Sequence, residues 1–440
     1  MTLMVNADTG TISPFEKENA GRAHSRNTAR MAALSRPSFD QAYASELMGV
    51  SCDILKDRRI RAGRSGRELV DYTRCGYLNL DSHPALLSAA KAVLDEVPSI
   101  HFSVARTRLT ARPLHELEQQ LAQLFDTSST IVFPTVAAAN MGALPLLAAG
   151  LFTSDQKPLI VFDRFAHVTL QYHIPVLREE TDVIVVEHND LQQLEDLCRS
   201  GRRVAYVGDG AYSMGGAAPV KDLRHLQDRY GLFVYLDDAH GISVAGRNGE
   251  GFVRSQIDNL GDNTIIAASL GKGFGASGGL LMLGTPSQDQ AIRRYAPTFG
   301  FSCAPNMPAV GAALASAKIH ATPELGFLQK KLTDNLGLFD QLIPTETSGS
   351  PLPMRLVRIG GEEDAIDAAE FLLQHGHYVS VVFFPTVARG QAALRMAVTA
   401  AHRPNDIRDL ATFLQAWSSA RALTDIENEH PITVAAALTA

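Results

Sequence analysis

Two segments carry side chains whose types and spacing could do chemistry. The first, SLGKGFGASGG at 269–279, sets Lys272 among Gly271, Gly273 and Gly275, directly after an apolar run. Glycines remove side-chain bulk, so a ligand can approach both the amine and the backbone closely. Three chemistries compete for this segment. A phosphate-cradling Walker loop fails, because Ile266 stands where its first glycine belongs and Gly273 follows the lysine. Gly273, Gly275 and Gly278 do match GxGxxG, but late in the chain and with no acidic strand end following at the expected distance. In the third reading the amine condenses with an aldehyde cofactor as a Schiff base.

The second segment, VYLDDAHGISVAGRNGEGF at 234–252, ends an apolar run in Asp237, Asp238 and, one alanine later, His240. A buried strand that ends in acids is costly unless the charge finds a partner. A helix cap or a metal carboxylate is the plain reading. A metal needs more ligands than these three, and no HxxxH pair or second acidic cluster stands close by. A carboxylate facing a pyridinium nitrogen keeps it protonated, so that the ring can accept electrons from a substrate carbanion. An acid at one strand end and a lysine at a later one suit opposite sides of a flat ring. Pyridoxal 5'-phosphate is therefore the favoured cofactor. A hydrolase built from Ser213, Asp237 and His240 is a weaker alternative, because GAYSMG lacks the GxSxG spacing.

These residues need strand ends to present them. Apolar runs predict buried strands at 130–133, 158–162, 182–187, 203–208, 232–237, 264–269 and 279–283, with helical periods at 87–97, 113–125, 191–200 and 220–231. Strand–helix alternation with both faces apolar predicts an α/β fold around a mainly parallel, seven-stranded sheet flanked by helices. Ligands collect beyond the carboxyl ends of such strands. There the polar residues cluster: Thr135, Asp163 with His167, Asp209 with Ser213, Asp237 with His240, and Ser269 with Lys272. A long helical stretch over 308–338 leads to strands near 352–359 and 378–384 and a last helix over about 405–422. The expected division is an arm (1–45), an N-terminal segment (46–95), a large domain (96–312), a small C-terminal α+β domain (313–425) and a tail (426–440). The arm is polar without a sustained period and reads as mobile or docked on a partner.

Composition narrows the class. The 440 residues are 45% hydrophobic and 20% charged, enough for a large core and unlike a disordered chain. A net charge of −7 argues against nucleic acid as a partner. Four scattered cysteines without a CxxC pair argue against a disulfide framework or zinc site and for a reducing compartment. No apolar stretch is long enough to span a bilayer and the N-terminus lacks a secretory h-region, so a cytoplasmic protein is expected.

With DGAYSMGGAAPV at 209–220 and PTVARGQAALRMAVTAAHRPNDI at 385–407, the two segments occur in an order and spacing that resemble the α-oxoamine synthases. These are fold-type I pyridoxal-phosphate enzymes, and the resemblance runs from about position 72 to about 414. It implies decarboxylative condensation of an amino acid with an acyl-thioester, on coenzyme A or an acyl-carrier protein, giving an α-amino ketone. An aminotransferase or carbon–carbon lyase on the same fold is the alternative. Carried over by motif, Lys272 holds the cofactor and moves the proton at the substrate α-carbon. Asp237 pairs the ring nitrogen, His167 stacks on the ring, and His240 and Ser213 lie near its 3'-oxygen. Ser269 suits the phosphate, Arg395 the amino acid's carboxylate. Ser302 and Cys303 fall in a segment that reaches the partner subunit's phosphate in a homodimer with active sites at the subunit boundary. Arg106, with Arg108 and Arg112, could meet the phosphates of a thioester carrier. Thr135, Val136 and Ala137 replace the family's Ser-Gly-aromatic phosphate loop. Gly76 stands where the family has a polar residue before Tyr77, and Ser243 where it usually has glycine. These departures point to an altered acyl donor or amino acid rather than to a dead site.

Overall fold

The structure, a computed structural model, describes residues 28–64 and 66–429. The first 27 residues of the expected arm and the end of the expected tail lie outside the described residues. What is described of the arm is a helix, Thr28–Ala44, which buries Ala42 and sets Phe39 edge-on against Phe383 at 5.0 Å. Pro37 and interspersed polar residues blur its period, which is why the sequence reads there as irregular.

Next comes an antiparallel ribbon of β1 (Cys52–Ile54), β2 (Arg59–Ala62) and β3 (Arg67–Asp71). Its short, charged strands gave no usable alternation in the sequence. The large domain holds β4 (Ser129–Phe133), β5 (Leu159–Asp163), β6 (Val183–Val186), β7 (Val204–Asp209), β8 (Phe233–Asp237), β9 (Thr264–Ser269) and β10 (Gly279–Leu283), close to the seven expected runs. They form one sheet in the order β4-β10-β9-β8-β7-β5-β6, with β10 antiparallel to both its neighbours. The fully buried Ile, Val, Leu and Ala of β8, β9 and β10 leave no solvent face, as a sheet covered on both sides requires. One layer packs the helix Val136–Ala148 on the sheet; the other packs Arg112–Leu124 and Met307–His320.

A three-stranded sheet pairs β11 (Met354–Gly360), β13 (Ser380–Val382) and β14 (Ala392–Ala397), while β12 (His377–Tyr378) joins β3 in parallel. The sequence reading missed β14, the strand that bears Arg395. It also drew one long helix over 308–338, where the chain forms two, Met307–His320 and Pro323–Leu342. The break has a local cause: Thr322 caps the second helix through Glu324 N–H, and Pro323 occupies its first turn.

Candidate active site

Lys272 lies in the loop after β9, and His240 in the turn after β8. Lys272 Nζ is 2.8 Å from His240 Nε2, and His240 Nδ1 is 2.5 Å from the Tyr77 hydroxyl. That hydroxyl donates to Met354 Sδ at 3.3 Å. Its proton thus spent, Tyr77 accepts from Nδ1–H, which leaves Nε2 to accept from the lysine. Burial pushes the His240 pKa well below its ordinary value, and the charges of Lys272 and Arg395 push the same way. Burial also lowers the Lys272 pKa, against the pull of Asp237. A neutral imidazole therefore holds the amine in place.

Asp237, at the end of β8, is buried beside Asp209, its register partner on β7. It accepts from Ala239 N–H (3.0 Å) and from Asn140 Nδ2 (3.3 Å). Asn140 is itself held by the Tyr235 hydroxyl at 2.8 Å. Burial, then the charge of Asp237, raises the Asp209 pKa well above the usual carboxylate range. Asp209 accepts the His167 N–H at 2.9 Å. His167 Nδ1 lies 2.9 Å from Thr169 Oγ1 and accepts from Thr169 N–H at 3.3 Å. Burial keeps His167 below its ordinary pKa, so the neutral ring carries its proton on Nε2.

Arg395 reaches across from β14. Its Nε donates to the Ser213 carbonyl at 3.4 Å, and its Nη2 lies 3.6 Å from Met354 Sδ and 4.0 Å from Cys75 Sγ. Neither Arg395 nor Asp237 forms a salt bridge among the described residues. Nearby, Thr135 caps the helix Val136–Ala148 through Ala138 N–H at 3.1 Å, with Thr135 and Ala137 exposed. A Cβ on Gly279 would sit 2.3 Å from the Thr135 carbonyl, so only glycine lets β10 pass this helix start. The Ser269 hydroxyl accepts Gly271 N–H at 3.2 Å.

Lys272, His240, His167, Asp237, Ser213 and Arg395 thus converge, as their mutual hydrogen bonds and electrostatic coupling require. Arg106 does not join them. It is buried, bonded to Glu118 Oε1 at 2.6 Å and to the Val132 carbonyl at 2.5 Å, and lies over the Phe299 ring. With its donors turned inward it braces β4, and the expectation that it meets a carrier's phosphates is corrected. Ser302 donates to the Thr298 carbonyl at 2.6 Å, and Cys303 beside it is exposed with a left-handed φ of 66°. The serine hydrolase alternative fails on geometry, since both ring nitrogens of His240 are already engaged. Ser243 is stabilised in its own left-handed turn (φ 69°) by a 2.8 Å hydrogen bond to His320 Nε2.

The sequence reading missed Tyr77 and Asn140 as partners of His240 and Asp237. It also missed Arg58, whose buried guanidinium donates to the carbonyls of Arg74 (3.0 Å) and Gly76 (2.7 Å) and so fixes the loop bearing Tyr77. Among the described residues no group of His, Cys, Asp and Glu could hold a metal ion, and no helix is long and apolar enough to cross a membrane.

A lysine and an acid at neighbouring strand ends, with a histidine and an arginine beside them, are the residue types of a fold-type I pyridoxal-phosphate site. Comparison with known proteins agrees. Residues 75–414 match the family model for aminotransferase class I and II. The 8-amino-7-oxononanoate synthase of Arabidopsis thaliana is 30% identical over 398 residues, 87% of this chain and 82% of that protein. That of Methylobacillus flagellatus is 29% identical over 402 residues, 87% and 97%. Among solved structures, a serine palmitoyltransferase of Sphingomonas wittichii superposes with a TM-score of 0.79 at 20% identity, covering 90% of this chain and 99% of that one. An 8-amino-7-oxononanoate synthase of Francisella tularensis gives 0.66 at 20%, over 80% and 99%. The chain belongs to the aminotransferase class I and II family, in its α-oxoamine synthase branch.

Proposed function

We propose that this protein condenses an amino acid with an acyl-thioester, using pyridoxal 5'-phosphate, and releases carbon dioxide and the thiol to leave an α-amino ketone. The relatives' name supports this product class, for 8-amino-7-oxononanoate is itself an α-amino ketone. The observation that carries the reading is Arg395, a guanidinium without a carboxylate partner, next to the Lys272–His240–Tyr77 chain. A charge held partly or wholly away from water without a counter-ion is costly, so half-buried Arg395 and buried Asp237 both fit a site completed by ligand groups.

The residues suit the cofactor: Lys272 for its aldehyde, Asp237 for its ring nitrogen, His167 for its face, Ser213 and His240 near its 3'-oxygen. The helix start at Thr135, Val136 and Ala137, with Ser269, takes the phosphate through backbone N–H groups and hydroxyls. The Ser302–Cys303 segment serves the same phosphate in a partner subunit. When bound, the cofactor supplies an electron sink for the substrate's α-carbon. Arg395 clamps the amino acid's carboxylate. Lys272 Nζ, whose pKa burial lowers, takes the α-proton, and His240 Nε2 steadies the amine during transfer. His167 Nε2–H is the free donor that can polarise the thioester carbonyl, because His240 has both nitrogens occupied.

The working unit is a homodimer, a reading supported by Phe301, 90% exposed beside Ser302. The thioester comes from coenzyme A or an acyl-carrier protein, and four free cysteines fit a reducing cytoplasm. The test is a mass-spectrometric screen of amino acids against thioesters. Thiol release with a decarboxylated ketone is expected. A keto acid formed without thioester would instead assign an aminotransferase.

A further inference from the structure

A cavity of about 280 Å³ lies beside the site, lined by Ser213 and Met354, both of which touch Arg395. It borders the site, since Met354 Sδ touches both Arg395 and Tyr77 and the Ser213 carbonyl holds Arg395. Alternation along β11 puts Met354, Leu356 and Arg358 on one face, and all three line this cavity. Phe165, Tyr212 and Met214 line it from the large domain. Phe165 is 51% exposed although its ring stacks on His188 at 4.5 Å, an apolar surface with nothing over it.

The charges around the cavity are all engaged. Arg358 donates to both carboxylate oxygens of Glu346, at 2.7 and 2.9 Å, and Arg355 is paired with Asp340 in the same two-pronged way. His188 spans Asp163 (3.0 Å) and the Gly215 carbonyl (2.9 Å). A ligand end that carried a negative charge would find no free cation there among the described residues, and burying it unpaired is expensive.

We propose that this cavity is the acyl-chain pocket and that it selects an uncharged chain of short to medium length, not one ending in a carboxylate. The inference rests on the condensation reading. The thioester carbonyl sits near Arg395 and Lys272 while its chain lies along Met354 and Leu356 under Phe165. At about 280 Å³ the cavity falls just below the usual range of ligand pockets, roughly 300 to 1,000 Å³, and so suits octanoyl better than palmitoyl.

Pantetheine thioethers test the pocket without turnover, because coenzyme A and acyl-carrier proteins present the same pantetheine arm. In calorimetric titrations of the holoprotein, S-octyl-pantetheine should bind about tenfold tighter than S-ethyl-pantetheine, and about tenfold tighter than the octyl chain ending in a carboxylate. Leu356→Trp, which fills the cavity, should erase the octyl advantage, and Phe165→Ala, which removes one wall, should shrink it. Equal binding of octyl and ethyl probes, equal binding of the carboxylated chain, or an octyl advantage that survives both substitutions would overturn the pocket. If Leu356→Trp fails to fold, Phe165→Ala carries the test alone. An octyl advantage without any ketone product would support the pocket and overturn the condensation reading, so the two failures are distinct.

Discussion

The chemistry of Lys272 depends on neighbours that hold its amine in place. Tyr77 is the far end of that support. Tyr77→Phe removes the acceptor for His240 Nδ1–H and leaves a buried donor unpaired, a cost of about 2 kcal/mol. If that cost falls on the proton transfer, kcat drops about thirtyfold while the amino acid's KM stays near wild type; steady-state kinetics against amino acid concentration read the split. A KM effect alone would make Tyr77 a binding group. Ser243 offers a second residue-scale test. Ser243→Gly relieves a left-handed backbone, a gain of at most about 1 kcal/mol, but strips the buried His320 Nε2 of its partner, a loss of about 1 to 3 kcal/mol. The loss should win and denaturant unfolding should show net destabilisation; net stabilisation would mean that the hydrogen bond contributes little. At this scale the strand-end residues were legible, because a lysine or acid after an apolar run has one place to go. Tyr77 was not, since it meets His240 from 163 residues away along the chain.

Elements place these residues, and one of them is pinned by a titratable group. The turn at Ser213, Met214, Gly215 and Gly216, which borders both Arg395 and the acyl cavity, is tied to β5 through His188 between Asp163 and the Gly215 carbonyl. Burial opposes charge on His188, but its bonds to Asp163 and Gly215 outweigh that and raise its pKa. A raised histidine stabilises the fold fully below its unfolded value, about 6.5, and that contribution fades as pH climbs through the folded value. Stability should therefore fall as pH rises above about 6.5. His188→Gln should flatten this limb in melting curves recorded from acid to alkaline pH, and an unchanged limb would assign it elsewhere. Of the elements themselves, the seven strands of the large sheet were readable because β-branched and aliphatic runs buried on both faces have a plain signature. β14 was hidden by its neighbours: ALRMA is as good a helix as a strand until β11 and β13 flank it.

On the scale of the whole molecule, the seven-stranded sheet presents Lys272, Asp237, His167 and His240, the three-stranded sheet Arg395 and the loop after β3 Tyr77. Arg106 shows how this assembly uses charge. Together with Arg293 it binds Glu118 and flanks the Phe299 ring, and so steadies the short helix Pro297–Phe301. That helix ends at Phe301, the most exposed of the large apolar side chains described. A second subunit covering Phe301 would bring Ser302 and Cys303 to the neighbouring site. Phe301→Asp should then shift the protein from dimer to monomer by light scattering and weaken its hold on the cofactor. A dimer that tolerates the aspartate would place the interface elsewhere. No reading of one chain's composition could reveal that surface, because an exposed phenylalanine is recognisable only after the chain has folded.

The most direct measurement is to reduce the cofactor-loaded protein with borohydride, digest it and find the pyridoxyl group by mass spectrometry. The modification is expected on the peptide containing Lys272, and its loss in Lys272→Ala. A pyridoxyl group fixed to another lysine, or retained by the alanine variant, would contradict that role for Lys272.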